Sequence, residues 1–333
     1  MARAYAAYHF GWKPSYSPFR LWVEPASICQ LECVMCPNSE LPPAMKGIMP
    51  LDLFQTIVAQ CEYVYDINLT HRGEPLLNPN IVDMVAYGAA AGPKIRLHTN
   101  AMTLTRELSR ELINAGLDLI SFSIDGFTKE SYERIRVRGK WDTVITNILT
   151  FLEEKARKRS KKPYVIVQVI EVLESSKSEI DRSRFLEHFK GLPVDEFYIK
   201  KPSNWAGSYK TDLYDVEPST PCTFPWYALT VCFDGLIVPC PQDFFCKIPL
   251  GMVQEEGLTG GWQSRRMREL RHAMAERKFK GLDPCWNCDR IRRPRKLGVP
   301  ATNLAVFVVE NLLGYTQWKS RLFANKDGTV RTK

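Results

Sequence analysis

The stretch Ile28–Pro37, ICQLECVMCP, sets three cysteines on one short loop directly after a β-rich run, Leu21–Val23. Cys29, Cys33 and Cys36 are spaced CxxxCxxC. Three thiolates on a tight loop can hold three irons of a cubane cluster and leave the fourth iron open for another ligand. Sulfur ligation also suits zinc, but zinc favours a fourth Cys or His close by. The next cysteine is Cys61, which falls inside a helical pattern around Val58–Tyr63. Free cysteine is among the most buried residue types, so packing is the expectation there.

Outward from this loop, strand-like and helix-like segments alternate for some two hundred residues. β-rich runs stand at Leu21–Val23, Asp66–Thr70, Ile95–His98, Leu119–Ile124, Tyr164–Val172 and Glu196–Lys200. Helix-length segments separate them: Leu51–Tyr63, Asn80–Ala90, Thr105–Ala115, Lys129–Ile135, Asp142–Lys158 and Ser178–Phe189. Thr105 and Ser178 are capping residues at helix starts, and Gly116 is a stop. Six such units in series predict an α/β fold, a partial (β/α)6 TIM-like barrel with its active site at the C-terminal ends of the strands. After Lys201 the rhythm changes. Tyr227–Val238 reads as a β-hairpin on Asp234-Gly235, and a helix is expected over Trp262–Glu276. The predicted organisation is an N-terminal extension (1–19), a barrel (20–201), a small Cys-rich domain of hairpin plus helix (202–290) and a basic tail (291–333).

At 333 residues, 45% apolar and 25% charged, the composition is that of a soluble globular chain. The first twenty residues lack a signal-peptide apolar run, and no stretch of roughly 18 apolar residues exists, so a cytoplasmic protein is expected. In a reducing compartment ten cysteines point to metal or catalysis rather than disulfides. The net charge of +8 is confined to one end: from Arg290 to Lys333 there are ten Lys or Arg against Glu310 and Asp327. That tail leaves nucleic acid as one conceivable partner, without any recognised RNA-binding module. Its apolar stretch, LAVFVVENLLGYTQWKSRLF, suits a packed or membrane-surface helix, but not a spanning one.

The cysteine loop resembles that of the radical S-adenosylmethionine (SAM) enzymes, and further motifs extend the resemblance along the barrel. Gly73-Glu74-Pro75, in RGEPLLNP, is similar to the family's GGEP element, with Arg72 in place of the first glycine. Thr99 and Asn100, in HTNAMTL, match a TNG-like element, with Ala101 where glycine is usual. The resemblance implies that the open iron chelates SAM, whose reductive cleavage yields a hydrogen-abstracting 5′-deoxyadenosyl radical. It implies a reducing partner such as flavodoxin or ferredoxin. Glu74 is expected to accept from the SAM amino group, and Met35, before the third cysteine, to touch adenine. Thr99, Asn100, Ser123 and Asp125 are expected at the barrel mouth, with Gln168 and Arg136 as candidates for the SAM carboxylate or ribose. Arg134, Arg136 and Arg138 alternate too closely for sequence to say which points inward.

Cys222, Cys240, Cys285 and Cys288 form a second set that could bind zinc or a fully ligated [4Fe–4S] cluster, and spacing leaves the two open. Joined to the barrel, the set is similar to a SPASM/Twitch auxiliary domain, in its one-cluster form. The resemblance thus implies two [4Fe–4S] clusters, one binding SAM and one auxiliary. Cys232 lies in the hairpin, where packing is expected. Cys246 lies on the loop CPQDFFCKIPLG, Cys240–Gly251, outside any periodic segment. The resemblance extends to radical SAM epimerases and dehydrogenases of sugar and aminocyclitol biosynthesis. The expectation is epimerisation of a sugar-type small molecule, with Cys246 as hydrogen-atom donor and Asp243 as a substrate-facing carboxylate. The alternatives are dehydrogenation with the auxiliary cluster as electron acceptor and, further off, peptide or RNA modification. Only about twenty residues precede the first strand, which counts against a leader-binding domain.

Overall fold

The computed structural model describes residues 7–8, 14–170, 179–211, 215–293, 295–296 and 299–300. Its contacts divide the chain into two units. One is Leu21–Pro202 with Val231–Gly235; the other is Ser203–Thr230 with the described residues before Leu21 and from Leu236 on.

The first unit is built on β1 (Arg20–Val23), β2 (Asp66–Leu69), β3 (Lys94–Thr99), β4 (Leu119–Ser123), β5 (Tyr164–Ile170) and β6 (Glu196–Lys200), adjacent in that order. From β2 to β6 every neighbouring pair is parallel, with Ile67 opposite Ile95, Leu97 opposite Ile120, Ser123 opposite Gln168 and Val167 opposite Phe197. β2 is buried at every position, as a parallel sheet covered on both faces requires. The helices are α1 (Leu51–Val58), α2 (Ile81–Ala91), α3 (Arg106–Asn114), α4 (Lys129–Ile135), α5 (Trp141–Arg157) and α6 (Glu179–Glu187). Thr105 caps α3 by accepting from the Leu108 amide at 3.2 Å, and Gly116 ends that helix at φ 89°. Phe122 meets Phe151 edge to face at 5.3 Å, locking β4 against α5. This is the parallel α/β barrel architecture that the strand–helix rhythm predicts.

α1 is shorter than its pattern. It stops at Val58, and the Cys61 amide closes a turn onto Val58 O at 2.9 Å, so Cys61 lies beyond the helix rather than on it. It is buried there, its thiol donating to Ile57 O at 3.2 Å. The expected cap at Ser178 and the end of the fifth run at Val172 lie outside the described residues, as does the apolar tail segment.

The second unit holds β7 (Ala228–Val231), β8 (Leu236–Val238), β9 (Gly251–Met252), α7 (Val253–Trp262) and α8 (Arg265–Ala275). Gly235, at φ 94°, makes the hairpin turn, and β9 adds antiparallel to β8. The predicted Trp262–Glu276 helix begins at Arg265, where Ser264 accepts from the Met267 amide as N-cap. Trp262 ends α7 instead. Sequence hides α7 because Gly257, Gly260 and Gly261 depress its helix propensity, and it kinks at Gly257. The N-terminal segment packs in this unit: Trp262 Nε1 donates to Tyr16 O at 2.5 Å and Gln263 Nε2 to Pro14 O at 3.0 Å. Among the described residues no helix is long and apolar enough to cross a membrane.

Candidate functional site

In the barrel unit the cysteine loop is shaped by backbone bonds. The Cys36 amide donates to Cys33 O at 2.9 Å, and Glu32–Cys33 pairs antiparallel with Arg136–Val137, setting Cys33 opposite Arg136. All three cysteines are half-buried. Burial pushes the Cys29 thiol up to about 11 and that of Cys36 up to about 12, and raises Cys33 too. The sulfurs feel one another, and the Arg136 guanidinium pulls all three downward. Met35 is buried beside them in sequence.

Gly73 is where the loop after β2 meets the loop after β1. A Cβ on Gly73 would stand 2.3 Å from Ile28 O and 2.5 Å from Ala26 O, so only glycine admits this approach. Glu74 follows, its amide bonded to Ile28 O at 2.9 Å. Its buried carboxylate accepts from Leu76 N at 3.1 Å and Thr99 Oγ1 at 2.6 Å on Oε1, and from Asn100 N at 2.8 Å on Oε2. Burial raises its pKa, and these three donors counter the rise. A carboxylate has about four acceptor positions, so one on Oε2 is left. Asn100 continues the network, its Nδ2 lying 3.8 Å from Cys29 Sγ while Oδ1 accepts from Gln30 Nε2 at 3.1 Å. Ala101 has φ 60°, which explains the usual glycine at this point.

Of the three alternating arginines, Arg136 is the inward one; Arg134 and Arg138 are exposed, and Arg138 pairs with Glu32 at 2.8 Å. Arg136 pairs with buried Asp125 at 2.6 Å, leaving its Nε without a hydrogen-bond partner among the described residues. Asp125 Oδ1 accepts from Ile170 N at 2.9 Å, so both residues form part of the barrel rim. Ser123 and Gln168 sit opposite each other at the ends of β4 and β5.

A second buried network escapes sequence inspection. Arg72 grips Glu24 through Nε at 2.8 Å and Nη2 at 2.5 Å, while Phe233 N donates to Glu24 Oε2 at 3.1 Å and His71 Nδ1 lies 3.5 Å from Oε1. Burial works against the charge on Glu24, but Arg72 and His71 outweigh it and hold the carboxyl below its ordinary value. Arg72 at the first glycine position is therefore tied to an acid at the end of β1. Glu24 falls in no recognisable motif, and its pairing with Arg72 becomes visible only once β1 and β2 are neighbours.

In the C-terminal unit Cys222, Cys240, Cys285 and Cys288 come together. Burial, then the neighbouring thiols Cys222 and Cys288, hold Cys240 well above its ordinary pKa; burial, then Cys240, Cys288 and Cys222, do the same to Cys285. Burial also lifts Cys288 to about 12. Arg290, half-buried over the Phe224 ring at 4.1 Å, places its cation beside this set. Cys246 is half-buried at φ 53°. Its amide donates to Asp243 O at 3.2 Å. The Asp243 carboxylate caps its own loop, accepting from Lys247 N and Ile248 N at 2.8 Å each.

The donor sets discriminate between metals. Four sulfurs on zinc, at about 2.3 Å from the metal, would stand roughly 3.8 Å apart. Among the described residues only Glu24, His71 and Cys232 bring three such ligand atoms within 4.8 Å of one another. Both cysteine sets are wider than a zinc tetrahedron, as a cluster of several irons requires. The Glu24 trio, tightly spaced as it is, has the Arg72 cation on its carboxylate and is an ion network.

Comparison with known proteins bears on these two sites. Residues 23–175 match the Radical SAM superfamily and residues 222–289 the SPASM iron–sulfur cluster-binding domain. The chain is 30% identical over 122 residues to the AdoMet-dependent heme synthase of Methanosarcina barkeri, a match spanning 36% of this chain and only 35% of that protein. It is 22% identical over 274 residues to the S-adenosyl-L-methionine-dependent 2-deoxy-scyllo-inosamine dehydrogenase of Niallia circulans, covering 81% of this chain and 92% of that one. In fold it is similar to BtrN in complex with AdoMet and 2-DOIA (TM-score 0.54, 17% identity, 86% of this chain and 96% of that). It is also similar to Streptococcus suis SuiB bound to precursor peptide SuiA (TM-score 0.63, 16% identity, 83% and 70%). Residues 23–175 are therefore a radical SAM domain and residues 222–289 a SPASM iron–sulfur cluster-binding domain, domains whose cofactors are S-adenosylmethionine and iron–sulfur clusters.

Proposed function

We propose that the enzyme dehydrogenates a ring carbon of a small sugar- or cyclitol-type substrate. A CH–OH carbon would lose a hydrogen atom, then a proton and one electron, and become a carbonyl two hydrogens lighter. Bound SAM and the clusters supply hydrogen-atom abstraction by a 5′-deoxyadenosyl radical and a site for the departing electron. Cys29, Cys33 and Cys36 would hold the SAM-binding cluster, and Cys222, Cys240, Cys285 and Cys288 the auxiliary one. Glu74, through its remaining acceptor position, is assigned to the SAM amino group, with Gly73 and Pro75 shaping its turn. Thr99 keeps that carboxylate in place by its 2.6 Å bond. Asn100, Ser123, Gln168, Met35 and the Asp125–Arg136 pair are assigned to the remainder of the cofactor pocket. A flavodoxin or ferredoxin would deliver the reducing electron.

The observation that carries this reading is the coupled set of four cysteines beside Arg290, with Cys288 buried and the other three half-buried. Four protein ligands leave no open iron for substrate, which suits electron acceptance. Similarity to a dehydrogenase over 92% of that protein's length supports it.

A second reading, epimerisation, rests on Cys246. This half-buried thiol is surplus to the four-cysteine set and stands three residues from Asp243. A thiol S–H returned to the opposite face of the ring would invert the carbon.

One experiment separates the two. Turnover in deuterated water by the reconstituted enzyme, with candidate cyclitols and aminosugars, is read by mass spectrometry. A product lighter by two hydrogens and free of solvent deuterium supports dehydrogenation. An isomer of the substrate carrying one deuterium, lost in Cys246→Ala while SAM cleavage persists, would replace it with epimerisation.

A further inference from the structure

The C-terminal unit contains a cavity of about 180 Å³ beside the Cys240–Cys285 region, lined among others by Trp205, Gln242, Asp243, Phe244, Phe245 and Lys247. A cavity of roughly 150 Å³ holds one benzene ring, so this one accommodates a single six-membered ring with substituents. Its walls are aromatic: Trp205 meets Phe244 edge to face at 5.5 Å, and Phe245 lies 5.6 Å from Phe244. Such faces bind the C–H side of a saturated ring or a cationic amine.

The polar groups offered are acceptors. Gln242 is buried, and its Oε1 has no hydrogen-bond partner among the described residues. A buried amide oxygen without a donor is rare and calls for an explanation. Asp243, also buried, has spent one acceptor position per carboxylate oxygen on Lys247 N and Ile248 N and retains the others. The cation that lines the cavity is neutralised, because Lys247 Nζ pairs with Asp283 at 2.8 Å. An anionic ligand would meet no uncompensated positive charge from Lys247 and a carboxylate; a donor-rich ligand would meet two acceptors.

The wall is preformed. Trp205, Ala206 and Gly207 carry positive φ angles of 46°, 53° and 105°. Buried Asn204 fixes this loop, donating through Nδ2 to Asn287 O at 2.6 Å and accepting from Asp289 N at 3.1 Å. A Cβ on Gly207 would come within 2.6 Å of Asn287 Cβ, so the loop sits hard against the Cys285–Cys288 turn. Strained backbone held by buried bonds is a feature of ligand sites.

We infer that this cavity is a subsite for a single saturated ring bearing hydroxyl or ammonium donors, stacked on Trp205 and Phe245 and donating to Gln242 Oε1 and Asp243. That its occupant is the substrate ring rests on the function proposed above; the binding does not.

The test uses the anaerobically reconstituted full chain without reductant, so that no turnover occurs. Glucosamine, myo-inositol and the anionic ring cyclohexanecarboxylate are titrated calorimetrically. Glucosamine and myo-inositol should bind and the carboxylate should not. Gln242→Leu should weaken both by about tenfold, the effect of one hydrogen bond to a buried acceptor, and Trp205→Ala by at least as much. Iron content and circular dichroism report whether either variant is intact. If Gln242→Leu loses iron, Trp205→Ala and Phe245→Ala decide. Equal binding of cyclohexanecarboxylate, absence of binding by both donor rings, or ring affinity unchanged in the intact variants would overturn the subsite. A wild type that binds rings but turns none over would overturn the reaction instead and leave the subsite standing.

Discussion

Replacing Gly73 by alanine tests whether the close approach of two loops builds the SAM site. The new Cβ would fall 2.3 Å from Ile28 O, 2.5 Å from Ala26 O and 2.6 Å from Ser27 C. Ordinary non-bonded contacts lie near 3.5 Å, so one backbone segment must retreat by about 1 Å. All three contacts are main-chain atoms, which no rotamer change can relieve. Overpacking of this kind costs about 1–3 kcal/mol and occasionally more, and here it also strains the 2.9 Å bond from Glu74 N to Ile28 O. The displaced atoms adjoin Cys29 on one side and Glu74 on the other. Urea unfolding of the apo-protein should show the stability loss, and iron content after reconstitution should fall. SAM cleavage should drop by roughly a hundredfold, the usual penalty for a 1 Å misplacement. A variant within about 0.5 kcal/mol of wild type, with full iron and undiminished SAM cleavage, would show that the approach has no functional consequence and refute the reasoning.

Two further outcomes follow from the buried charges and thiols. Arg72→Gly restores the residue usual in the resembling element, yet it should destabilise the apo-protein at pH 7 by about 3–5 kcal/mol, because Glu24 is left charged and buried. Glu24 has a depressed pKa, so the wild-type advantage is present above the ordinary carboxylate value and lost as pH falls below it; urea midpoints that stay equally far apart from pH 7 down to pH 3 would contradict this. In the reconstituted enzyme iodoacetamide should modify Cys246 first. Cys61 is buried with its thiol pushed up to about 12, Cys232 is buried, and the other seven cysteines are those proposed to hold the clusters; rapid labelling of any of those seven in iron-replete protein would break the ligand assignment.

What was legible in the sequence was whatever rests on local pattern. The strand–helix rhythm gave all six barrel strands within about a residue or two at the ends that are described, since buried parallel strands read as apolar runs between capped helices. Boundaries failed where long-range packing overrode propensity. α7 is poor in helix formers and rich in glycine, yet it forms with Trp262 fully buried and bonded to Tyr16 O. Pairings between distant residues were not legible at all: Glu24 with Arg72, Arg136 with Asp125, and Arg290 with the second cysteine set each join charges separated by turns of chain with no shared motif.

These missed charges share a physical purpose. Two cysteine sets, each able to carry several negative charges, are placed in low-dielectric surroundings, and burial alone pushes their thiols upward, disfavouring the thiolates that ligate metal. Guanidinium groups oppose that tendency: Arg136 acts on Cys29, Cys33 and Cys36, Arg290 on Cys222 and Cys288, and Arg293 also on Cys222. Arg136 is itself balanced by Asp125, whereas Arg290 lies over the Phe224 ring. Carboxylates stand at the second set as well, Asp289 acting on Cys222 and Cys288 and Asp243 on Cys240. Net charge and hydrogen bonds to sulfur are among the levers that set a cluster's reduction potential.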